Sequence, residues 1–324
     1  MAVYTEVSKS ALDDFMGAYD LGPVVSFEGI VEGVENTNYA LRSESGRYVL
    51  TLYEKRVAAD DLPFFLGLME HLAGRGIACP VPVHGRDGQA LRTLCGRPAA
   101  ITSFLEGRPV EHIAARHCRQ VGAALATLHR SGATYTLRRA NALSVASWRR
   151  LLAASAARAH EIAPNLEETI EAEIAALEPV WPEDLPAGII HGDLFPDNLF
   201  FQGDGLSGII DFYFACVDAL AYDLAICLNA WCFDRSAVFD RARAVELFAG
   251  YGSVRPLSQA EVAAFPKLAR GTAVRFLLTR VYDTLHPPKG ALVKPKQPLN
   301  YLKRLEFHRA AAEPDAYGLP GPGS

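Results

Sequence analysis

Residues 189–200 read Ile-Ile-His-Gly-Asp-Leu-Phe-Pro-Asp-Asn-Leu-Phe, and residues 209–212 read Ile-Ile-Asp-Phe. In the first segment two short apolar runs flank a polar loop, a pattern typical of two strands joined by a turn. Asp193 lies in this loop five residues before Asn198, and Asp211 follows another apolar run thirteen residues after Asn198. The sequence therefore predicts two carboxylates and one amide at the ends of short strands.

This set of side chains fits phosphoryl transfer. One carboxylate can orient and deprotonate an attacking hydroxyl, while an amide oxygen and a second carboxylate hold Mg²⁺ against nucleotide phosphates. Protein kinases use a similar series of Asp, Asn and Asp. A turn or a helix cap would explain each residue alone, but neither requires the combined spacing. We therefore interpret the segment as part of a phosphotransferase site.

The sequence around this segment divides into a strand-rich part and a helix-rich part. Strand patterns before residue 105 occur at 27–31, 38–42, 47–53, 81–83 and 99–104. One helix is predicted among them, from the Asp60–Pro63 cap to Gly74. After residue 111 apolar residues recur every three or four positions, and two capping-box patterns, at 165–168 and 258–261, mark further helix starts.

These patterns predict an α+β fold with two lobes. We expect a small, β-rich N-terminal lobe over residues 1–105 and a larger, mainly helical lobe over residues 106–312. The Gly- and Pro-rich residues 313–324 are predicted to form a disordered tail.

Composition restricts the class of protein. The chain has 324 residues, of which 50% are hydrophobic and 21% charged, as in globular proteins. Its net charge of -5 argues against nucleic acid or an anionic membrane as a partner. The six cysteines form no Cys-x-x-Cys pair, and apolar runs stay short of the ~18 residues that span a bilayer. We therefore expect a cytoplasmic protein with reduced cysteines, and the sequence does not specify its oligomeric state.

The pattern His191-Gly-Asp-x-x-x-x-Asn198, followed by Ile-Ile-Asp211, resembles the aminoglycoside phosphotransferase and choline kinase superfamily of small-molecule kinases. Segments 32–39, 48–56, 61–70 and 275–283 look like the bacterial homoserine kinases of this superfamily, as distinct from those of the GHMP fold. The resemblance implies a two-lobed, protein-kinase-like fold. It also implies ATP-dependent phosphorylation of the side-chain hydroxyl of L-homoserine to O-phospho-L-homoserine, on the route to threonine.

The resemblance also implies roles for individual residues, with ATP and Mg²⁺ as cofactors. Asp193 matches the catalytic base, and Asn198 and Asp211 match the magnesium ligands. Residues 29–38 match the loop over the triphosphate, and the hinge at 101–107 is expected to bind adenine through its main chain. The nucleotide-binding residues expected from these two segments are Gly29, Gly33, Asn36, Asn38, Ser103 and Leu105.

One position departs from related kinases, which have a phosphate-binding lysine in the third strand where this chain has Thr51. Lys55, just beyond the strand, is our candidate for the missing cation. Arg56 and Arg42 are alternatives, and both Lys55 and Arg56 could equally be solvated turn charges. The departure also leaves open a catalytically silent, kinase-like binding protein.

Charge indicates the class of acceptor. Residues 211–324 contain 11 acidic and 14 basic residues, a net charge of +3, which disfavours a polycationic aminoglycoside and suits a small carboxylate. Arg275 and Arg280 are our candidates for binding that carboxylate, because guanidinium pairs with it in bidentate fashion. They lie five residues apart and are expected on different helix faces, and Arg280 could instead pair with Asp283.

Other acceptors remain open, among them choline, ethanolamine and a sugar. A choline site needs an aromatic cage, for which Trp231 and Tyr222 would be the candidates, although a core role fits both better. We expect His191 to organise the loop. Asp218 and Asp223 are expected to brace the loop or cap the following helix.

Overall fold

The computed structural model describes residues 4–30, 36–54, 57–287 and 297–319. They form two units. Unit 1 contains the described residues within Met1–Glu106 together with Gly208–Tyr213, and unit 2 contains those within Gly107–Ser207, Phe214–Pro287 and Pro295–Ser324. The sequence places Gly208–Tyr213 in the larger lobe. The structure groups this segment with unit 1, because the N–H of Ile209 donates to the carbonyl of Ala78 at 2.9 Å.

Unit 1 is built on a five-stranded antiparallel sheet with the order β1-β2-β3-β5-β4. Its strands are β1 (Val24–Gly29), β2 (Thr37–Ser43), β3 (Gly46–Leu52), β4 (Arg92–Leu94) and β5 (Arg97–Ser103). Two helices accompany the sheet, α1 (Lys9–Met16) and α2 (Leu62–Ala73). Apolar residues of α1 share one buried cluster with the odd-numbered positions Tyr39 and Leu41 of β2. The even-numbered positions of β2 therefore lie on the opposite face.

Most elements predicted for unit 1 are confirmed. The hairpin of β2 and β3 pairs Asn38 with Thr51, and α2 ends before Gly74 as expected. The strand predicted at 81–83 is wrong, since this segment makes only a single bridge from Pro82 to Thr102. The N–H of Val83 donates to Ile101 and that of Ser103 donates to Val81, so the segment pairs with β5 only around Pro82.

Unit 2 is mainly helical. Its helices are α3 (Ala115–Gly132), α4 (Trp148–Ala153), α5 (Leu166–Leu177), α6 (Leu220–Trp231), α7 (Arg241–Val254), α8 (Gln259–Leu285) and α9 (Leu299–Ala310). It also contains the short strands β6 (Ala187–Ile190), β7 (Leu199–Gln202) and β9 (Cys216–Ala219), and β9 pairs antiparallel with β6. Strand β8 (Gly205–Ile209), whose last two residues belong to unit 1, pairs with β7. The predicted starts of α5 and α8 are confirmed, and Ser258 and Glu261 form the expected capping box.

The C-terminal segment corrects one expectation. Residues 313–319, which we predicted to be disordered, include a 3-10 turn at Pro314–Tyr317, and the Tyr317 side chain is fully buried. Its hydroxyl lies 2.9 Å from Nδ1 of His308, a contact the composition of the tail does not reveal. Residues 320–324 lie outside the described ranges. Within those ranges no helix is long and apolar enough to cross a membrane.

Candidate active site

The catalytic loop, which we define as residues 191–198, connects β6 to β7 as the sequence predicts. Gly192 has a φ of +77°, which disfavours residues with a side chain. A Cβ at this position would also lie 2.7 Å from the carbonyl oxygen of Phe214. The turn that directs Asp193 therefore requires glycine at its second position.

Hydrogen bonds within the catalytic loop hold Asp193 and Asn198 together. Nδ2 of Asn198 donates to the backbone oxygen of Asp193 at 2.7 Å and to its Oδ2 at 3.3 Å. Nδ1 of His191 accepts from the N–H of Asp193 at 3.3 Å, which fits the structural role expected for this histidine. Because Nδ2 of Asn198 is the atom that bonds to Asp193, Oδ1 is the atom of this amide that can act as an acceptor or a metal ligand.

Asp223 anchors the start of the catalytic loop from α6. It is fully buried, and its carboxylate accepts the N–H groups of His191 at 2.7 Å and Gly192 at 3.0 Å. Nε2 of His129 lies 3.2 Å from the same carboxylate. Burial opposes the charge of Asp223, but these hydrogen bonds and the nearby histidines hold its pKa below the ordinary value. Asp223 is therefore a charged brace, one of the two roles expected for it.

Asp218 behaves differently from Asp223. It accepts from Nδ2 of Asn141 at 2.6 Å and from the N–H of Ala219, the residue that precedes α6. Burial raises the pKa of Asp218 above its ordinary value. Asp218 therefore lies next to the start of α6 without capping it, because the helix has no side-chain cap hydrogen bond.

Arg275 lies beside Asp193. Its side chain extends from α8, is 4% exposed, and stacks on the Phe276 ring with Cζ 3.8 Å from the centroid. Its Nη1 is 3.8 Å from Oδ1 of Asp193 and has no hydrogen-bond partner. A buried guanidinium with an unused donor therefore lies next to the predicted base.

Arg280 lies near the same loop. Its Cζ is 5.8 Å from the ring centroid of Phe195 and 4.4 Å from that of Tyr301 on α9. Although Arg275 and Arg280 leave the helix in different directions, their long side chains both reach the segment 193–195. The contacts of Arg280 seen here are with these two rings, and a pairing with Asp283 stays a prediction. Tyr301 also contacts Arg304, and we call Arg275, Arg280, Tyr301 and Arg304 the arginine cluster.

Asp211 lies in unit 1, whereas Asp193 and Asn198 lie in unit 2. Asp211 follows β8 with a φ of +64°, a left-handed conformation that aspartate tolerates better than most residues. Two residues later, the hydroxyl of Tyr213 lies 3.2 Å from that of Tyr53, and the Tyr213 ring packs against Phe65 of α2. Burial, with a contribution from Asp211, raises the pKa of Tyr213 to about 12.

Thr51 occupies the position of the missing strand lysine. It is buried, and its hydroxyl donates to Oδ1 of Asn38 on the paired strand at 2.8 Å. Lys55, our candidate for the compensating cation, and Arg56 lie outside the described residues. Arg42 is four residues from Asn38 along β2, or about 13 Å, so its side chain does not lie at the position of Thr51.

The other predicted nucleotide-binding residues are all in unit 1. Gly29 ends β1 opposite Tyr39, and Oδ1 of Asn36 accepts the N–H of Glu54 at 3.3 Å. Gly33 lies outside the described residues. The N–H of Ser103 donates to Val81 at 2.8 Å, so the expected main-chain donor to adenine is already used there. Leu105 packs over Gly208.

A groove in unit 1 runs along the sheet beside the hinge. Its volume is about 630 Å³, and its lining includes Glu28, Ala40, Arg42, Arg47 and Phe104. Strand pairing joins Glu28 with Ala40 and Arg42 with Arg47, so these residues share the sheet face of Asn38 and Thr51. Arg47 stacks on Phe104 at 3.9 Å.

Comparison with known proteins identifies the family. The phosphotransferase enzyme family model matches residues 26–257. The chain belongs to this phosphotransferase family. A protein named homoserine kinase from Paramagnetospirillum magneticum is 58% identical over 325 residues, covering 98% of this chain and 100% of that one.

Solved structures of other phosphotransferases show the same fold. An amicoumacin kinase superposes with a TM-score of 0.69 at 15% identity, covering 95% of this chain and 93% of that one. An aminoglycoside phosphotransferase from Alicyclobacillus acidocaldarius gives 0.65 at 14% identity, covering 97% and 94%. The predicted α+β kinase-like fold is confirmed. The chain is an ATP-dependent small-molecule phosphotransferase, as the sequence predicts.

Sequence reasoning missed Arg304 and Tyr301. Both lie on α9, in a segment whose pattern is that of an ordinary amphipathic helix, and nothing local marks their polar groups as buried. The candidate choline cage does not form from Trp231 and Tyr222. Both side chains are buried in unit 2, and Nε1 of Trp231 donates to the backbone oxygen of Leu194 at 2.9 Å.

Proposed function

We propose that this phosphotransferase transfers the γ-phosphoryl group of ATP to the side-chain hydroxyl of L-homoserine. The products are O-phospho-L-homoserine, an intermediate on the route to threonine, and ADP. The observation that carries the proposal is the arginine cluster beside Asp193, which supplies buried cationic donors where an amino-acid carboxylate would need them. The name homoserine kinase given to relatives at 58% identity supports the same acceptor.

Asp193 is proposed as the base. Its side chain is 22% exposed, so an acceptor hydroxyl can approach it, and Asn198 fixes its orientation through Oδ2. The carboxylate takes the hydroxyl proton as the acceptor oxygen bonds to the γ-phosphorus, and the bond from phosphorus to the ADP oxygen breaks. Arg275 offers its unused donor next to Asp193, where negative charge develops on the transferring group.

Asn198 and Asp211 are proposed as ligands of Mg²⁺. Their amide and carboxylate oxygens are the hard ligands this ion prefers, and Oδ1 of Asn198 is the atom of its amide that can act as a ligand. Within the described ranges no group of three or more His, Cys, Asp or Glu side chains could hold a metal ion. When bound, Mg²⁺ would neutralise charge on the phosphates.

The nucleotide is proposed to bind unit 1. Its base would occupy the groove beside Phe104 and Leu105, and its phosphates would approach Gly29, Asn36 and Asn38. Oδ1 of Asn36 and Oδ1 of Asn38 accept hydrogen bonds from Glu54 and Thr51, so it is through Nδ2 that these amides would donate to a phosphate. Gly33 and Lys55 complete this proposed set from outside the described ranges.

A turnover assay tests the acceptor directly. Purified enzyme with ATP and Mg²⁺ is given L-homoserine, L-serine, choline or an aminoglycoside, and ADP formation is measured together with the phosphorylated product. We expect turnover with homoserine at a kcat/KM at least ten times that of the others. Preference for choline or an aminoglycoside would contradict the proposed acceptor, and ATP binding without turnover of any acceptor would favour the silent kinase-like alternative.

A substitution of Asp211 tests the metal ligands. Asp211→Ala should weaken magnesium-dependent ATP binding as well as turnover, because the ion offsets the charge of the phosphates. Isothermal titration with ATP in the presence and absence of Mg²⁺ measures this effect. Unchanged magnesium-dependent affinity would show that Asp211 only shapes the loop after β8.

A further inference from the structure

Helix α9 places a second guanidinium beside Arg280. Arg304 and Tyr301 lie three residues apart on this helix, with 9% and 0% of their surfaces exposed. Cζ of Arg304 is 4.6 Å from the Tyr301 ring centroid, and Cζ of Arg280 is 4.4 Å from the same ring. Two like charges on different helices therefore share one tyrosine ring.

Arg304 and Tyr301 have polar groups without partners inside the protein. Nε and Nη1 of Arg304 and the hydroxyl of Tyr301 are buried without a hydrogen bond. Arg304 forms no ion pair with an acidic side chain in the part of the chain that the structure describes. By contrast, Arg309 of the same helix and Arg270 of α8 pair with Glu173 at 2.6 and 2.7 Å.

A buried guanidinium with unused donors, next to a second guanidinium at the same ring, is unfavourable unless an anion joins them. Burial and the charge of Arg304 lower the pKa of Arg280, although Tyr301, Asp193 and Asp197 act in the opposite direction. Nε and Nη1 belong to the planar fork of donors that matches a carboxylate in bidentate geometry. The missing group is therefore a small anion that can accept several hydrogen bonds.

The position of Arg280 and Arg304 relative to Asp193 indicates that the bound anion is a carboxylate and not the phosphoryl group. Arg275 is the guanidinium next to Asp193, and it lies on Phe276, whose ring stacks on Tyr301 at 5.3 Å. Arg280 and Arg304 lie at Tyr301, one aromatic ring further from the base. In homoserine a short aliphatic chain separates the reacting hydroxyl from the carboxylate, so the two groups would contact different guanidinium groups.

We propose that Arg304, together with the hydroxyl of Tyr301, is a specificity-determining contact for the carboxylate of the acceptor amino acid, which Arg280 holds from the opposite helix. The inference rests on the proposed function, because it takes homoserine as the acceptor. It adds two residues from α9 to the acceptor site. It also explains why this helix keeps an arginine at a buried position.

The main experiment compares two substrates and two variants. Arg304→Gln keeps a long polar side chain but removes the charge, and Arg309→Gln on the same helix is the matched control, since Glu173 keeps its bond to Arg270. With L-homoserine we expect Arg304→Gln to lower kcat/KM by about 10- to 150-fold, mainly through KM. With L-homoserinol, which lacks the carboxylate, the variant should stay within twofold of the parent. The KM for ATP should not change.

A second measurement excludes a structural role for Arg304. Saturating L-homoserine should raise the Tm of the parent and of Arg309→Gln, and this shift should disappear in Arg304→Gln. The ligand-free Tm of Arg304→Gln should equal or exceed that of the parent, because the variant removes an uncompensated buried charge. Tyr301→Phe, a milder change, should raise the KM for homoserine by about threefold to tenfold and leave the use of homoserinol unchanged.

Three results would overturn the inference. Equal losses with homoserine and homoserinol would show that Arg304 supports the fold, and a raised KM for ATP would place the anion among the nucleotide phosphates. Unchanged kinetics in both Arg304→Gln and Tyr301→Phe would remove α9 from the site. Failure of the proposed function appears instead in the parent enzyme, as absent turnover of homoserine and no shift in Tm.

Discussion

The catalytic loop and the arginine cluster differ in whether their polar groups have hydrogen-bond partners within the protein. In the loop, Asp193, Asn198 and the backbone of Gly192 all have hydrogen-bond partners from the protein. In the cluster, Arg304 and Tyr301 keep buried donors without any. Groups that act on the reaction are therefore held in place before ligands arrive. Those proposed to select the acceptor are left unsatisfied, so that binding supplies their partner.

Removing the base gives the largest expected effect. Asp193→Asn keeps the size of the side chain but cannot take the hydroxyl proton, so kcat should fall by about 10²- to 10⁴-fold while ATP affinity is retained. Steady-state kinetics and ATP titration measure the two quantities. Asp204→Asn is the control, since this aspartate is exposed and its carboxylate pairs with exposed Arg116. Activity of Asp193→Asn within twofold of the parent would remove Asp193 from the role of base.

A substitution of Asp223 should also disturb the catalytic loop. The fold lowers the pKa of Asp223, whereas burial raises the pKa of Asp218. Replacing each aspartate with asparagine therefore compares the loss of a stabilised charge with the loss of a destabilised one. Asp223→Asn should lower the free energy of unfolding by about 3–5 kcal/mol, and Asp218→Asn by about 1 kcal/mol or less. Urea denaturation followed by circular dichroism gives both values. Equal losses in the two variants would contradict the different electrostatics assigned to them.

The two regions also differ in how far the sequence reveals them. The catalytic loop could be predicted because its parts are neighbours in the chain: His191, Asp193 and Asn198 bond to one another across at most five residues. Arg304 could not, since its environment depends on how α9 packs against α8. The same reason explains Gly208–Tyr213, whose bond to Ala78 joins it to unit 1 across a long stretch of chain. Local spacing thus predicts local chemistry, and long-range packing has to be observed.

Within the arginine cluster, Arg275 and Arg280 should differ. Arg280→Ala should lower kcat/KM for homoserine by about 10- to 150-fold and leave homoserinol nearly unaffected, because Arg280 lies at Tyr301. Arg275→Ala should impair both substrates, because its guanidinium lies beside Asp193. Kinetics with the two acceptors at saturating ATP separate these roles. Selective loss of homoserine in both variants would instead make Arg275 part of the carboxylate contact.

The smallest effect concerns the pH dependence of stability next to the arginine cluster. His308 on α9 is buried, and Nε2 lies 3.0 Å from Oδ1 of Asn229, which can only accept. The imidazole therefore donates through Nε2 and accepts from the Tyr317 hydroxyl through Nδ1. Burial, with the charges of Arg304 and Arg270, lowers the pKa of His308 to about 3. The folded protein thus keeps this ring neutral at a pH where the unfolded chain protonates it.

A histidine whose pKa is lowered by folding stabilises the protein above its unfolded pKa of about 6.5, and this stability is lost as pH falls below that value. From pH 8 to pH 5.5, His308 should account for a loss of about 1.4 kcal/mol in the free energy of unfolding. His308→Gln, which can still donate to Asn229, should lose less stability than the parent over this interval by that amount. Urea denaturation at both pH values measures the difference. Parallel losses in the parent and the variant would mean that His308 takes up a proton in the folded state, against two neighbouring arginines.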